Sequence, residues 1–151
     1  MITKLEYTMQ NIFQLSNIEN ECFKRNAWSI PALRGEFEND FSHFFGYVMD
    51  DKIVGYTCVR IMYEEAQVCN IAVLPEYQRQ GIGSQLVQKL VDFATESGCQ
   101  VAELEVNTAN EKAVGLYLKN GFVVAGVRPN FYRTSTYPTR DAFTMLKQLN
   151  Q

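Results

Sequence analysis

The chain has 151 residues, 46% of them hydrophobic and 21% charged, and a formal net charge of −3. That length predicts one domain over residues 1–151, burying roughly two-thirds of the surface the unfolded chain exposes. The composition excludes a disordered segment, the lack of a basic run argues against nucleic acid, and no stretch approaches the ~18 apolar residues of a membrane helix.

The N-terminus has no signal-peptide pattern, and the four cysteines, Cys22, Cys58, Cys69 and Cys99, are scattered without a C-x-x-C pair. Zinc and a disulfide framework are therefore not expected, and a reducing cytoplasm is. The single histidine, His43, cannot build a metal site or a triad alone and is expected at the surface or a sheet edge.

A strand is predicted over Lys4 to Met9, then a helix from about Gln10 to Phe23, where Ile12, Phe13, Leu15, Ile18 and Cys22 follow helical spacing. Ser29 can cap a second helix with Pro31 in its first turn. Phe44 to Met49 and Ile53 to Ile61 read as a hairpin around Asp50-Asp51-Lys52, and Gln67 to Val73 as the next strand. A helix from Gly83 to Ser97 carries Leu86, Val87, Leu90, Val91 and Ala94 on one face, with Gly98 as a left-handed cap. Val101 to Val106 alternates with period two, placing Glu103 and Glu105 on one face and Leu104 and Val106 on the other. Thr108-Ala109-Asn110-Glu111 reads as a capping box for a short helix ending near Asn120, with Gly121 as its stop. Strands over Phe122 to Val127 and Ala142 to Leu149 follow, split by a loop rich in Pro and aromatic residues. The order predicts an α/β fold with a mixed sheet and a central βαβ unit.

Residues 71–84 join the strand and helix of that unit, Ile-Ala-Val-Leu-Pro-Glu-Tyr-Gln-Arg-Gln-Gly-Ile-Gly-Ser. Amides at a helix start have no intrahelical partner, the dipole makes that end positive, and two glycines let the chain approach a bulky anion. This is a cradle for a pyrophosphate. A dinucleotide fingerprint needs a third glycine where Leu86 stands, and a Walker loop needs a lysine before Ser84. The remaining pattern, Gln78-x-x-Gly81-x-Gly83, resembles the acetyl-CoA loop of the GNAT superfamily of N-acetyltransferases.

Acetyl transfer from a thioester to an amine needs a base for the amine, a donor for the oxyanion and a proton for the thiolate. Glu105 and Glu103 are competing bases; the alternative for Glu105 is a solvated carboxylate on an edge strand. Tyr117, whose phenol has a reference pKa of about 10, could be the acid or a core tyrosine. Asn110 could cap its helix or touch the cofactor.

Residues 70–83, Leu104-Glu105-Val106, Asn110 and Leu116-Tyr117-Leu118-Lys119-Asn120-Gly121-Phe122 together resemble the RimI-type bacterial ribosomal-protein-alanine N-acetyltransferases, over about Glu65 to Met145. The resemblance implies the GNAT fold, a mixed, splayed sheet flanked by helices with acetyl-CoA in the splay and no metal. It implies that Ile71 and Val73, with Ala72 between them, hold the pantetheine arm by their backbones, the Val73 amide facing the thioester oxygen. Arg79, Gln80, Gly81, Ile82, Gly83 and Ser84 would hold the pyrophosphate and Asn110 the CoA moiety. Glu105 would be the general base and Tyr117 the general acid, in direct transfer without an acetyl-cysteine. The implied acceptor is a protein or peptide N-terminus, the alanine of a ribosomal protein, gripped by Trp28, Phe131 and Tyr132. Two departures stand on the acceptor side: Ala27 replaces the proline of the family's Pro-Trp-Ser, and Asn130-Phe131-Tyr132 replaces its Asn-Tyr-Tyr. The rival readings are acetylation of a lysine side chain or small amine, and a non-catalytic acyl-CoA-binding module.

Overall fold

The computed structural model describes residues 1–149. Along it run β1 (Ile2–Leu5), α1 (Met9–Phe23), a short 3₁₀ turn (Lys24–Asn26), α2 (Ile30–Glu38), β2 (Ser42–Met49), β3 (Lys52–Met62) and β4 (Glu65–Val73). After a second 3₁₀ turn (Pro75–Tyr77) come α3 (Ile82–Glu96), β5 (Val101–Asn107), α4 (Glu111–Lys119), β6 (Val123–Arg128) and β7 (Ala142–Gln148). The seven strands form one mixed sheet in the order β1-β2-β3-β4-β5-β7-β6. Every neighbouring pair is antiparallel except β4 and β5, which the α3 crossover makes parallel. No helix is long and apolar enough to cross a membrane among the described residues.

Each element follows from local chemistry. The Asp50-Asp51 turn of the β2–β3 hairpin puts both residues at positive φ, 50° and 62°, the backbone of a tight hairpin turn. On α3, Ile82, Leu86, Val87, Leu90, Val91 and Ala94 are buried, each large side chain contributing about 1.5–3 kcal/mol. The helix ends in a Schellman motif: Cys99 N–H bonds Ala94 O, Gly98 N–H bonds Thr95 O, and Gly98 has φ +89°. One apolar cluster packs α3 against β4, β5 and β7; a second packs α1 and α2 against β3.

Four expectations need correction. The first strand lies at Ile2–Leu5 rather than Lys4 to Met9, because Thr8 Oγ1 accepts from Asn11 N–H and starts α1 at Met9. Phe13 is 57% exposed, on the outer face of α1. His43 sits on an inner strand, half-buried against the Phe93 ring at 4.7 Å, and that burial pushes its pKa down. Thr108 is not the cap of α4; Asn110 is, its Oδ1 accepting from Ala113 N–H at 3.2 Å.

The feature that positions the site is a short pairing. The β4–β5 register holds only from Glu65↔Val101 to Gln67↔Glu103. Beyond it β4 carries an extra residue, Cys69, between the pairs Val68↔Val59 and Asn70↔Cys58, and the two strands part. The result is a wedge opening toward the C-terminal ends of β4 and β5.

Candidate active site

One wall of the wedge is β4. Leu74 N–H bonds Val54 O at 2.8 Å, so in the alternating ladder Ala72 also faces β3, and the amides and carbonyls of Ile71 and Val73 face the gap. Ile71 N–H is held by the Asn70 side chain at 3.0 Å, while Val73 O accepts from Gln78 Nε2 at 2.9 Å and from the Cys22 thiol at 3.2 Å. At the head of the wedge Arg79 and Gly81 adopt positive φ, +64° and +81°, turning the loop over the start of α3. Gly81 caps α3 with no side chain answering its first amides, and a Cβ on Gly81 would point into open space. That end of a 15-residue helix leaves its first amides without a side-chain cap, an arrangement that suits an anion.

A cavity of about 560 Å³ follows this wall. It is lined by Ile71, Ala72, Val73, Arg79, Gly81, Ile82, Gly83, Ser84 and Asn110, and Gln80 is the one expected donor-side residue outside the lining. Two cations that sequence reasoning missed, Lys112 and Lys119, also line it. With Leu116 they fall at i, i+4 and i+7 on α4, a spacing that could have revealed them.

A second cavity of about 460 Å³ lies on the other side, between the α1–α2 connection and the β6–β7 loop. Trp28, Glu105, Tyr117 and Tyr132 line it; Phe131 does not, resting instead beneath Arg128 at 5.2 Å. The two cavities share Phe23, Ile71, Asn110, Ala113 and Tyr137, so they meet at the wedge.

Glu105 is far from the solvated edge-strand alternative. It stands on β5, between β4 and β7, with its side chain 10% exposed. Its Oε1 lies 3.8 Å from Arg128 Nη1, and among the described residues Oε2 is the buried side-chain oxygen with no hydrogen-bond partner. Burial raises its pKa, the Glu103 charge adds to that, and Arg128 opposes it without winning. A raised carboxyl with an unpartnered oxygen at a cavity wall suits a base.

Tyr117 is fixed by the end of α4. Phe122 N–H bonds Tyr117 O at 3.0 Å, Gly121 N–H bonds Leu118 O, and Gly121 has φ +91°. This Schellman motif sets Phe122 edge-on against the Tyr117 ring at 5.7 Å. Burial, and secondarily Tyr132, pushes the phenol well above its usual value. Tyr132 is pushed to about 12, by burial first and then by Glu105.

The second cavity rests on groups that sequence reasoning missed. Glu19, on the inner face of α1, is fully buried, and its Oε1 accepts from Trp28 N–H at 2.8 Å and its Oε2 from the Tyr56 hydroxyl at 2.6 Å and from Asn70 Nδ2. Burial raises its pKa against these hydrogen bonds. Its signal was a carboxylate on the apolar stripe Ile12, Leu15, Cys22. Asn107 straps the β6–β7 loop by bonds to Thr139 O and Ser135 Oγ, and Thr134 Oγ1 ties that loop to Asn26 Oδ1 at 3.2 Å.

Residues 12–122 match the model of the Acetyltransferase (GNAT) family. The chain belongs to the GNAT family of acetyltransferases. The N-alpha-acetyltransferase RimI of Mycobacterium tuberculosis is 36% identical over 124 residues, 80% of this chain and 75% of that protein. The crystal structure of the Escherichia coli ribosomal-protein-S18-alanine N-acetyltransferase superposes with a TM-score of 0.87 at 28% identity, covering 100% of this chain and 96% of that one. A Bacillus subtilis acetyltransferase crystallised with CoA shares the fold at a TM-score of 0.81 and 20% identity, covering 99% and 98%. The GNAT assignment makes this chain an N-acetyltransferase, and the wedge, the uncapped α3 and the three cations Arg79, Lys112 and Lys119 suit an acyl-CoA co-substrate.

Proposed function

We propose that the chain is an acetyl-CoA-dependent Nα-acetyltransferase that modifies the N-terminal alanine of a ribosomal protein by direct transfer in a ternary complex, in the cytoplasm. The observation that carries this reading is the meeting of the two cavities at Ile71, Asn110 and Ala113, with the unpartnered Glu105 oxygen on the acceptor side. Bound acetyl-CoA supplies an acetyl group activated as a thioester. The uncapped α3 amides with Arg79, Lys112 and Lys119 hold its phosphates, and Ile71 and Val73 receive the arm along their gap-facing groups. Gln78 releases the Val73 carbonyl when the arm enters.

The acceptor amine enters between Trp28 and Tyr132. Glu105 Oε2 accepts its proton, freeing the lone pair that attacks. The Val73 amide donates to the carbonyl oxygen as charge develops there. Tyr117 keeps its proton through the physiological range and donates to the sulfur. A phenol held this high gives its proton to a thiolate uphill, so its main contribution is a hydrogen bond that strengthens as the C–S bond breaks. No cysteine is needed.

The names of the M. tuberculosis and E. coli relatives support the acceptor. The test is mass spectrometry of ribosomal proteins incubated with enzyme and isotopically labelled acetyl-CoA. One label on the α-amine of a protein beginning with alanine is expected. Label confined to lysine side chains, or to added small amines, overturns the acceptor assignment.

A further inference from the structure

The buried polar groups under α1 and α2 continue past Glu19, Tyr56 and Asn70 into a pair of thiols that acetyl transfer does not use. Cys58 is fully buried on β3, and Cys69 is the bulged residue of β4 beside it. Both sulfurs and a Glu36 carboxylate oxygen lie within 4.8 Å of one another, and the Cys69 thiol donates to Gln67 O at 3.7 Å. A metal ion does not fit there. Glu36 is held bidentately by Arg60, at 2.7 and 2.8 Å, and also accepts from Ser42, so its oxygens are committed and a cation already occupies the ground.

The same guanidinium favours a thiolate. The neighbouring Cys58 thiol lowers the Cys69 pKa and Arg60 adds to that, while burial and the Glu36 carboxylate oppose them. Burial pushes Cys58 strongly the other way. One sulfur is therefore prepared to react while its neighbour keeps its proton. Cys69 also lines the acceptor-side cavity, so a small oxidant reaches it by the acceptor's own route.

We propose that Cys69 and Cys58 form a reversible disulfide, made by hydrogen peroxide entering the acceptor-side cavity and undone by a dithiol. The Cys69 thiolate attacks one peroxide oxygen, the O–O bond breaks, and the departing hydroxide takes a proton to leave as water. Cys69 is now a sulfenic acid, oxidised by two electrons. The Cys58 sulfur attacks it, the S–S bond forms, the S–O bond breaks, and a second water carries off the oxygen with the remaining proton. Two thiols and one peroxide thus give one disulfide and two waters. A dithiol reverses the bond by exchange and leaves as its own disulfide.

The bond has a consequence for the site. Closing it draws the bulged residue toward β3, since bridged Cβ atoms stand about 3.8 Å apart. Asn70 is next in the chain and holds Glu19, Tyr56 and the Ile71 amide, so the shift reaches both cavities. The oxidised enzyme transfers acetyl groups more slowly.

The experiment treats the full, reduced chain with stoichiometric hydrogen peroxide. Expected are a loss of two hydrogens in the intact mass and a Cys58–Cys69 crosslink on peptide mapping. A fall in transfer of roughly tenfold or more accompanies them, as displacements of about an ångström produce, and dithiothreitol restores the rate. Cys58→Ala keeps the basal rate, forms no crosslink, and accumulates a Cys69 sulfenic acid that dimedone traps. Should that variant fail to fold, Cys58→Ser takes its place and the wild-type peptide map stands by itself. Oxidation confined to Cys22 or Cys99 overturns the proposal, as does a crosslink that leaves the rate unchanged. The crosslink is read by mass, so its absence is distinct from any failure of the acceptor assignment.

Discussion

The donor and acceptor sides of the wedge are built from different materials. The proposed donor side is mostly backbone: the gap-facing groups of Ile71 and Val73, the turned loop at Arg79 and Gly81, and the uncapped amides of α3, with the cations Arg79, Lys112 and Lys119 beside them. The acceptor side is side chains gathered from distant segments, Glu19 and Trp28 from the first helices, Glu105 from β5, Tyr132 from the last loop. Backbone recognition tolerates many side chains and so suits a co-substrate common to a family. Side-chain recognition can be rewritten residue by residue, which is where a family with a fixed donor can vary its acceptor.

This contrast can be broken or sharpened by experiment. The largest effect is expected on chemistry: Glu105→Gln and Tyr117→Phe should each lower kcat by roughly 10²-fold or more while donor affinity changes little. Near-normal turnover in either variant sinks its assigned role. Gly81→Val addresses the backbone side. Its φ of +81° penalises a side chain by about 1–2 kcal/mol, so the donor KM should rise roughly tenfold with kcat retained; a kcat defect instead would erase the division of labour.

Glu19→Gln places an amide where two donors already converge and should cost about 2–3 kcal/mol, seen as a lower Tm with an unchanged donor KM. Glu105→Gln should do the reverse and raise Tm at neutral pH. Its folded pKa is raised, so ionisation disfavours the native state once pH exceeds the unfolded value of about 4.3. The gain should fade as pH falls below that value, where both states hold the proton; a gain independent of pH would place its origin elsewhere. The smallest effects are on the pH profile. Arg128 lowers the Glu105 pKa and Glu103 raises it, so Arg128→Gln should move the acidic limb of kcat/KM to higher pH and Glu103→Gln to lower. Shifts of the same sign in both variants would exclude Glu105 as the titrating base.

What could be read from the sequence divides along the same line. The cradle was legible because a backbone site leaves glycines at set positions, and the α3 stripe because burial imposes a period. Gly98 and Gly121 marked helix ends because only an αL residue closes a Schellman motif cheaply. The acceptor side was less legible because its contacts are long-range. Glu19 meets Asn70 across 51 positions, and Thr134 meets Asn26 across 108. Short-range rules also competed: Thr108 and Asn110 can both cap a helix, and Asn110 wins because β5 runs on to Asn107, whose Oδ1 holds the Ala109 amide. Resemblance placed Phe131 in the acceptor grip, whereas the loop turns its ring beneath Arg128.

The three-rung pairing of β4 with β5 has one more consequence. Past Gln67 the central strand of this sheet has an unpaired margin, the kind of edge that proteins normally cover, charge or interrupt because it templates strand addition from another chain. Here it is shielded within a cleft and partly stoppered by Gln78 and the Asn70 side chain. The proposed acyl-CoA arm, lying along this margin, would take the place of the missing strand and turn an aggregation-prone edge into a binding surface.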